Sequence, residues 1–154
     1  QLSHDFNAAL DRCLQPPDGP AERAATWIRH YLRQVRADHV WGWALVNVSL
    51  TGPRLLGEES YAAASDNLDA GCALGVFKVA HREAALDLTL GGTVAAAMSI
   101  LRGTAGVNHP EEAAYIALRA YGISDAKARR IVGRPLARLD WRDSAPDSRA
   151  SRPV

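Results

Sequence analysis

The run REAALDLTLGGTVAAAMSILRG, Arg82 to Gly103, decides how the rest of the chain is read. From Leu88 to Leu101 it carries no charge; Arg82, Glu83 and Asp87 precede that span and Arg102 follows it. Acids near the start and a base at the end suit the helix dipole. Leu86, Leu90, Val94, Ala97, Met98 and Leu101 recur at three- and four-residue steps, so they share one helical face. The other faces are apolar or small as well, which predicts burial on more than one side. The uncharged stretch is shorter than the roughly 20 residues a membrane span needs. Gly91 and Gly92 each cost about 1 kcal/mol in a helix interior relative to alanine. Small side chains there let another helix come close. The expectation is a helix with its own domain on one side and a second subunit on the other.

Around this run, 154 residues suffice for one domain with a proper core. A hydrophobic fraction of 47% and a charged fraction of 23% are those of a soluble globular protein. No secretory signal is evident, since Gln1 to Leu14 reads as an amphipathic helix. Cys13 and Cys72 make no metal-binding spacing and fall on apolar faces, so buried thiols in a reducing cytoplasm are expected. The net charge of +1 announces no nucleic-acid partner. It divides into +2 over residues 134–154, from five arginines and three aspartates, and −1 over the remainder. A DNA-binding surface needs clustered base, and the body lacks it.

Taken in order, Leu2, Phe6, Leu10, Cys13 and Leu14 share a face and predict a first helix, with Ser3 as a candidate cap. Gln15 to Pro20 is a proline- and glycine-rich loop, and Pro20 opens the next helix. That helix carries an apolar stripe from Ala24 to Val35 and puts Arg29, Arg33 and Arg36 on the wet side. Asp38 caps a third helix, Val40 to Leu50, apolar nearly all round and therefore expected to be central. A fourth helix begins at Glu58 or Glu59 and runs to about Val76, with Tyr61, Ala64, Leu68, Cys72 and Val76 facing inward. After the Arg82 helix, Pro110 with Glu111 and Glu112 opens a sixth helix that Gly122 closes. Ser124 caps a short seventh helix through Val132. No convincing alternating strand and no internal repeat is seen. The expected fold is an all-α bundle of about seven helices over residues 1–136, followed by a flexible tail over 137–154.

Catalytic and metal chemistry find little support. His4, His30, His39, His81 and His109 stand in no ligand-like spacing with one another or with the cysteines. There is no Glu-x-x-His pair for a di-iron bundle, no Gly-x-Ser-x-Gly and no Gly-x-x-x-x-Gly-Lys. The chain is read as a non-enzyme without cofactor or metal.

Three segments carry a family resemblance: PAERAATWIRHYLRQVRADHVWGWALV from Pro20, LDAGCALGVFKVAHREAALDLTLGGTVAAAMSILRG from Leu68, and HPEEAAYIALRAYGISDAKARRIV from His109. In order and spacing the chain resembles the C-terminal effector-binding and dimerisation domain of TetR (tetracycline-repressor-like) bacterial transcription regulators, over about residues 2–136. The family's N-terminal helix-turn-helix unit is absent, so operator DNA would be reached only through a part outside this chain.

The resemblance implies a cytoplasmic homodimer, with no membrane partner, and a small apolar effector held between the helices at 20–37, 40–50, 58–76 and the first half of 82–102. Candidates for that pocket are Trp27, Tyr31, Trp43, Asn47, Tyr61, Leu68, Cys72, Phe77, Leu90 and Thr93, each of which could equally be plain core. Four tryptophans, three of them between Trp27 and Trp43, exceed plain core need. Asn47 on an apolar helix must find a partner or cost roughly 1–3 kcal/mol. The resemblance also implies pairing of 82–102 and 110–121 with their symmetry copies. Gly92, Ala95, Ala96, Ser99, Ala113, Ile116, Ala117 and Ala120 are the candidate interface residues, most of them small enough for close helix contact. The alternatives are a stand-alone helical small-molecule-binding or scaffold protein, and an enzyme with an internal pocket.

Overall fold

The computed structural model describes residues 2–14 and 18–139, without the side chains of Leu2 and Ser3. The expectations for Ser3 as a cap and for the tail beyond Leu139 lie outside the described residues. Among those described, every regular element is a helix: α1 Leu2–Cys13, α2 Pro20–Ala37, α3 His39–Thr51, α4 Glu58–Ala73, α5 Arg82–Leu101, α6 His109–Ala120 and α7 Asp125–Val132.

Local chemistry sets the boundaries. Proline stands at the opening of α2 and of α6, where its missing N–H would have had no partner anyway. The Asp38 carboxylate accepts from the Trp41 amide at 3.1 Å and starts α3. The Ser124 hydroxyl accepts from the Lys127 amide at 3.3 Å and starts α7. Gly122 follows α6 at φ +83°, a conformation that L side chains rarely adopt, and its Cα lies against Lys78. α4 stops three residues before Val76. The amides of Val76 and Phe77 both turn back to the Gly71 carbonyl, at 2.9 and 3.0 Å, and Phe77 seats directly on Gly71. A Cβ at Gly71 would lie 2.0 Å from the Phe77 ring, so only glycine fits.

The spatial hub is α2, which packs against α3, α4, α5, α6 and α7. Ala21, Ala25, Ile28, Leu32 and Val35 are buried as the apolar stripe requires. Arg29 departs from the expectation of a wet side: it is only 4% exposed. α6 and α7 cover that side of α2, and Arg29 reaches α6 and the segment just after α7, with Nε 3.2 Å from Glu111 Oε1 and Nη2 2.8 Å from the Arg134 carbonyl. Arg33 donates to the same Glu111 oxygen at 2.6 Å. Arg36 holds the carbonyls of Gly106 and Val107, at 2.7 and 2.8 Å, just before α6. Three arginines at helical spacing therefore clamp α6 along α2.

α5 is buried along one face by Leu86, Leu90, Val94, Ala97 and Ile100, against α2, α3, α4 and α6. By length and composition α5 could cross a bilayer, a point on which counting uncharged residues alone misleads. Its inner contacts make it a core helix, each fully buried leucine contributing roughly 2 kcal/mol. α3 corrects a second expectation. It packs mainly on α2 and α5, so it lies at the edge of the bundle, and Val40, Trp43, Val48 and Leu50 stay exposed. On α4 the inner face is turned from the expected one: Ser60, Leu68 and Gly71 are buried, while Cys72 is exposed.

Candidate functional site

Two concavities flank α5, one inside the bundle and one outside. The inner one begins with the seating of α1. Phe6 meets Tyr31 edge-on at 4.8 Å and Trp41 at 5.0 Å. One residue on, Asn7 enters a buried polar triad. Its Nδ2 donates to Ser60 Oγ at 3.1 Å, and its Oδ1 accepts from the Tyr31 hydroxyl at 3.1 Å. Tyr31 and Ser60 hydroxyls stand 2.6 Å apart. Burial pushes the Tyr31 phenol up to about 12, with the Ser60 and Asn7 hydrogen bonds pulling the other way. The triad joins α1, α2 and α4 and fixes the register of α1.

One helical turn before Tyr31, the Trp27 ring lies 4.4 Å from it and forms the floor of a cavity of about 90 Å³. α1 contributes Asp11, and Leu14 follows directly after that helix; α2 contributes Arg23, Ala24, Trp27 and Ile28; α4 contributes Ala63, Ala64 and Asn67. Thr89 and Leu90 of α5 and Tyr121 after α6 complete the wall. A smaller chamber of about 40 Å³ continues past Trp27 toward Asn7 and Thr26. The space exists because Ala24, Ala63 and Ala64 present only methyl groups where larger side chains would fill it. Asn67 donates to the Pro20 carbonyl at 2.9 Å and holds α4 to the start of α2. Burial pushes the Tyr121 phenol up, and a hydrogen bond with Thr89 offsets part of that. Asp11 and Arg23 are exposed, so the charges sit at the rim. The result is an apolar slot with an aromatic floor and a few placed amide and hydroxyl groups, the usual make-up of a small-molecule site.

The outer concavity is an open groove of about 540 Å³ between α5 and α6. Gly92, Ala95, Ala96, Ser99, Ala113, Ile116, Ala117 and Ala120 all line it, together with Leu88, Thr89, Thr93, His109 and Glu112. Leu88 is 73% and Ile116 65% exposed at its edges. A Cβ at Gly92 would meet nothing within 4 Å inside this chain. Packing within the monomer therefore gives no reason for that glycine. Among the described residues, no group of three or more His, Cys, Asp or Glu side chains is arranged to hold a metal ion.

Of the residues expected to form a pocket, Trp27 and Leu90 line the inner cavity, and Tyr31 lies directly behind Trp27. Leu68 is fully buried core. Phe77 is buried beside Tyr121, with ring centroids 4.8 Å apart. Tyr61 stacks under the Arg54 guanidinium at 4.5 Å, and Thr93 faces the outer groove. Trp43 and Asn47 lie outside the cavity: both are exposed on α3, so the Asn47 amide is not a buried polar group in need of a partner. The helix expected as a wall, 40–50, lines neither concavity, and α1 takes its place. Asp11, Leu14, Ala63, Asn67, Thr89 and Tyr121 are cavity residues that the sequence did not single out. The clustering of small residues with one amide on α4, Ala62-Ala-Ala-Ser-Asp-Asn67, was the available signal.

The seven-helix bundle is that of the ligand-binding domain of a transcription regulator, as its similarity to known proteins shows. Residues 19–134 match the family model described as "Tetracyclin repressor-like, C-terminal domain", and the chain belongs to that family. No curated protein matches the sequence. Among solved structures the chain is similar to RolR, a regulator of the TetR family, in complex with its ligand resorcinol. Identity is 28% and the TM-score 0.74, with 90% of this chain and 69% of that one covered. It is equally similar to RolR without ligand, at 27% identity and TM-score 0.74, with 90% and 71% covered.

Proposed function

We propose that this chain is the effector-binding and dimerisation domain of a cytoplasmic repressor, and that its effector is a single-ring hydroxylated aromatic molecule held over Trp27. The observation that carries this reading is that the inner cavity is roofed by Asp11 of α1 and by Leu14 just after it. A molecule in it touches the helix that, in this family, leads to the DNA-reading unit. A ligand shifts a conformational equilibrium only through a difference in affinity between two states. Contact with α1 supplies such a difference, because moving α1 changes the ligand's own surroundings.

Size and chemistry support the choice of effector. A cavity of about 90 Å³ with a small annex suits one ring and not a fused system. Trp27 offers a face to stack on. Asn67, Thr89 and Tyr121 offer hydrogen-bonding groups at the edges, as phenolic hydroxyls need. RolR, similar in fold and sequence, is known with resorcinol bound. The outer groove fits a second copy of the chain: an uncharged α5 surface and the small residues of α6 would meet their twins around a two-fold axis. The catalytic alternative draws no support from the inner cavity, whose charged side chains, Asp11 and Arg23, stand exposed at the rim.

Calorimetric titration with resorcinol, catechol and phenol tests the proposal. At least one is expected to bind one molecule per chain. Trp27→Ala, which removes the floor, and Ala64→Leu, which fills the slot, should each weaken binding tenfold or more, about 1.4 kcal/mol. Binding unchanged in both variants would remove the cavity from the account.

A further inference from the structure

The inner cavity and the outer groove are separated by a single helix, and Thr89 belongs to the walls of both. Its neighbours divide between the two sides. Leu90 faces the cavity; Leu88, Gly92 and Thr93 face the groove. Features of the sequence at this point favour bending of the helix. Thr89 Oγ1 donates back to the Ala85 carbonyl at 2.8 Å, and Thr93 Oγ1 to the Thr89 carbonyl at 2.8 Å. Hydroxyl back-bonds of this kind bend helices. Gly91 and Gly92 stand between them, and glycine in a helix interior leaves the backbone its largest freedom. Neither glycine is held there by crowding within the chain, since a Cβ at Gly91 would lie 3.9 Å from Leu55 and one at Gly92 would meet nothing. The far side of the partition is anchored, because Thr89 also hydrogen-bonds the buried Tyr121 phenol.

We infer that the Thr89–Thr93 segment couples the effector cavity to the subunit groove, so that the two cavities of a dimer fill with positive cooperativity. This rests on the dimeric, ligand-binding reading above. A ligand seated against Thr89 and Leu90 orders a segment that is loose when the cavity is empty. In the dimer the same segment packs, through the exposed Gly92, on its symmetry copy. Ordering one copy therefore orders part of the other before its own ligand arrives. The second ligand meets less of that entropic penalty and binds more tightly. Coupling of this type is commonly fivefold or more in affinity.

The test is calorimetric titration of resorcinol into the intact chain, with sedimentation velocity run on the same samples. The expected wild-type Hill coefficient lies above 1, bounded by about 2 for two sites. Thr89→Val, which keeps the shape and removes the hydroxyl, should weaken binding and bring the Hill coefficient to 1. Trp27→Ala should weaken binding and leave the coefficient above 1, which separates coupling from contact. Gly91→Ala stiffens the helix without touching either concavity; it should tighten the first binding event and lower the coefficient. Ile116→Arg, if it yields monomers, should bind with a coefficient of 1. A dimer that binds resorcinol at independent sites overturns the coupling alone, as does undiminished cooperativity in Thr89→Val. A chain that takes up no resorcinol, or never dimerises, removes the effector reading and the coupling with it.

Discussion

The two sides of α5 solve different problems with similar residues. The inner side ends in a small slot of about 90 Å³, where leucine, tryptophan and a few hydrogen-bonding groups are fixed by the bundle. The outer side is an open groove of about 540 Å³ with alanine, glycine and serine on its floor and exposed Leu88 and Ile116 on its edges. The inner side is complete within one chain. The outer side leaves apolar surface in water that a single chain does not cover. The contrast teaches that an uncharged helix can be core on one face and uncovered on the other, and the proposed account gives those faces two different occupants, one small and one as large as the protein itself.

The sharpest way to break this contrast is to damage the outer face alone. Ile116→Arg puts a charge at the groove edge on a side chain that is 65% exposed in the single chain, so the fold should survive. In a two-fold interface it places two like charges close together, unpaired and partly desolvated. The expected result is at least a hundredfold weaker dimer by sedimentation equilibrium, about 2.7 kcal/mol, with unchanged helical content by circular dichroism.

A comparable effect, on the monomer this time, is expected where α6 is held to α2. Arg29 is buried, and Glu111 is its counter-charge at 3.2 Å. Burial pushes the Glu111 carboxyl up, but hydrogen bonds from Arg33 and Arg29 outweigh it and hold the group below its ordinary value. Glu111→Gln leaves Arg29 without its anion and should lower unfolding stability by about 3 kcal/mol in urea titrations. The inner slot should keep its ligand below the unfolding midpoint. The groove, one of whose walls is α6, should lose dimer affinity as well.

The smallest effect is the most specific in pH. His30 is 5% exposed, its Nε2 has no hydrogen-bond partner, and burial, with Arg33 and Arg29 nearby, pushes its pKa down to about 4. The unfolded chain binds this proton below about 6.5, the folded chain only below about 4. Between those values the unfolded state holds more protons, so the stability contributed by neutral His30 is present above pH 6.5 and lost as the pH falls. The Glu111 carboxyl works in the same direction, but only below its ordinary value of 4.5. Stability should therefore drop by roughly 2 kcal/mol from pH 7 to pH 4.5. His30→Leu should flatten that part of the profile.

Much of this was legible in the sequence. Prolines at helix starts, Asp38 and Ser124 as caps, and Gly122 as a stop act within a few residues, so local chemistry decides them. The face of α5 and α6 that lines the groove is also a matter of helical periodicity. The inner cavity was not legible in the same way, because its walls come from four helices and a loop whose mutual placement is a tertiary property. α1 folds across α2 and α4 through Asn7, Tyr31 and Ser60, three residues far apart in sequence. α3 misled because composition cannot distinguish a central apolar helix from one at the bundle's edge with an uncovered side. Arg29 misled because an arginine at a helix surface is buried only once the partner that covers it, α6 with Glu111, is known.

Native mass spectrometry of the intact chain with and without resorcinol tests the central division most directly, since it reads subunit number and bound small molecule in one spectrum. The account expects a dimer that takes up two resorcinol molecules, and an Ile116→Arg chain that is monomeric yet still takes up one. A wild-type chain that stays monomeric at high concentration, or an Ile116→Arg monomer that has lost the ligand although folded, would contradict the assignment of the two faces of α5 to two separate occupants.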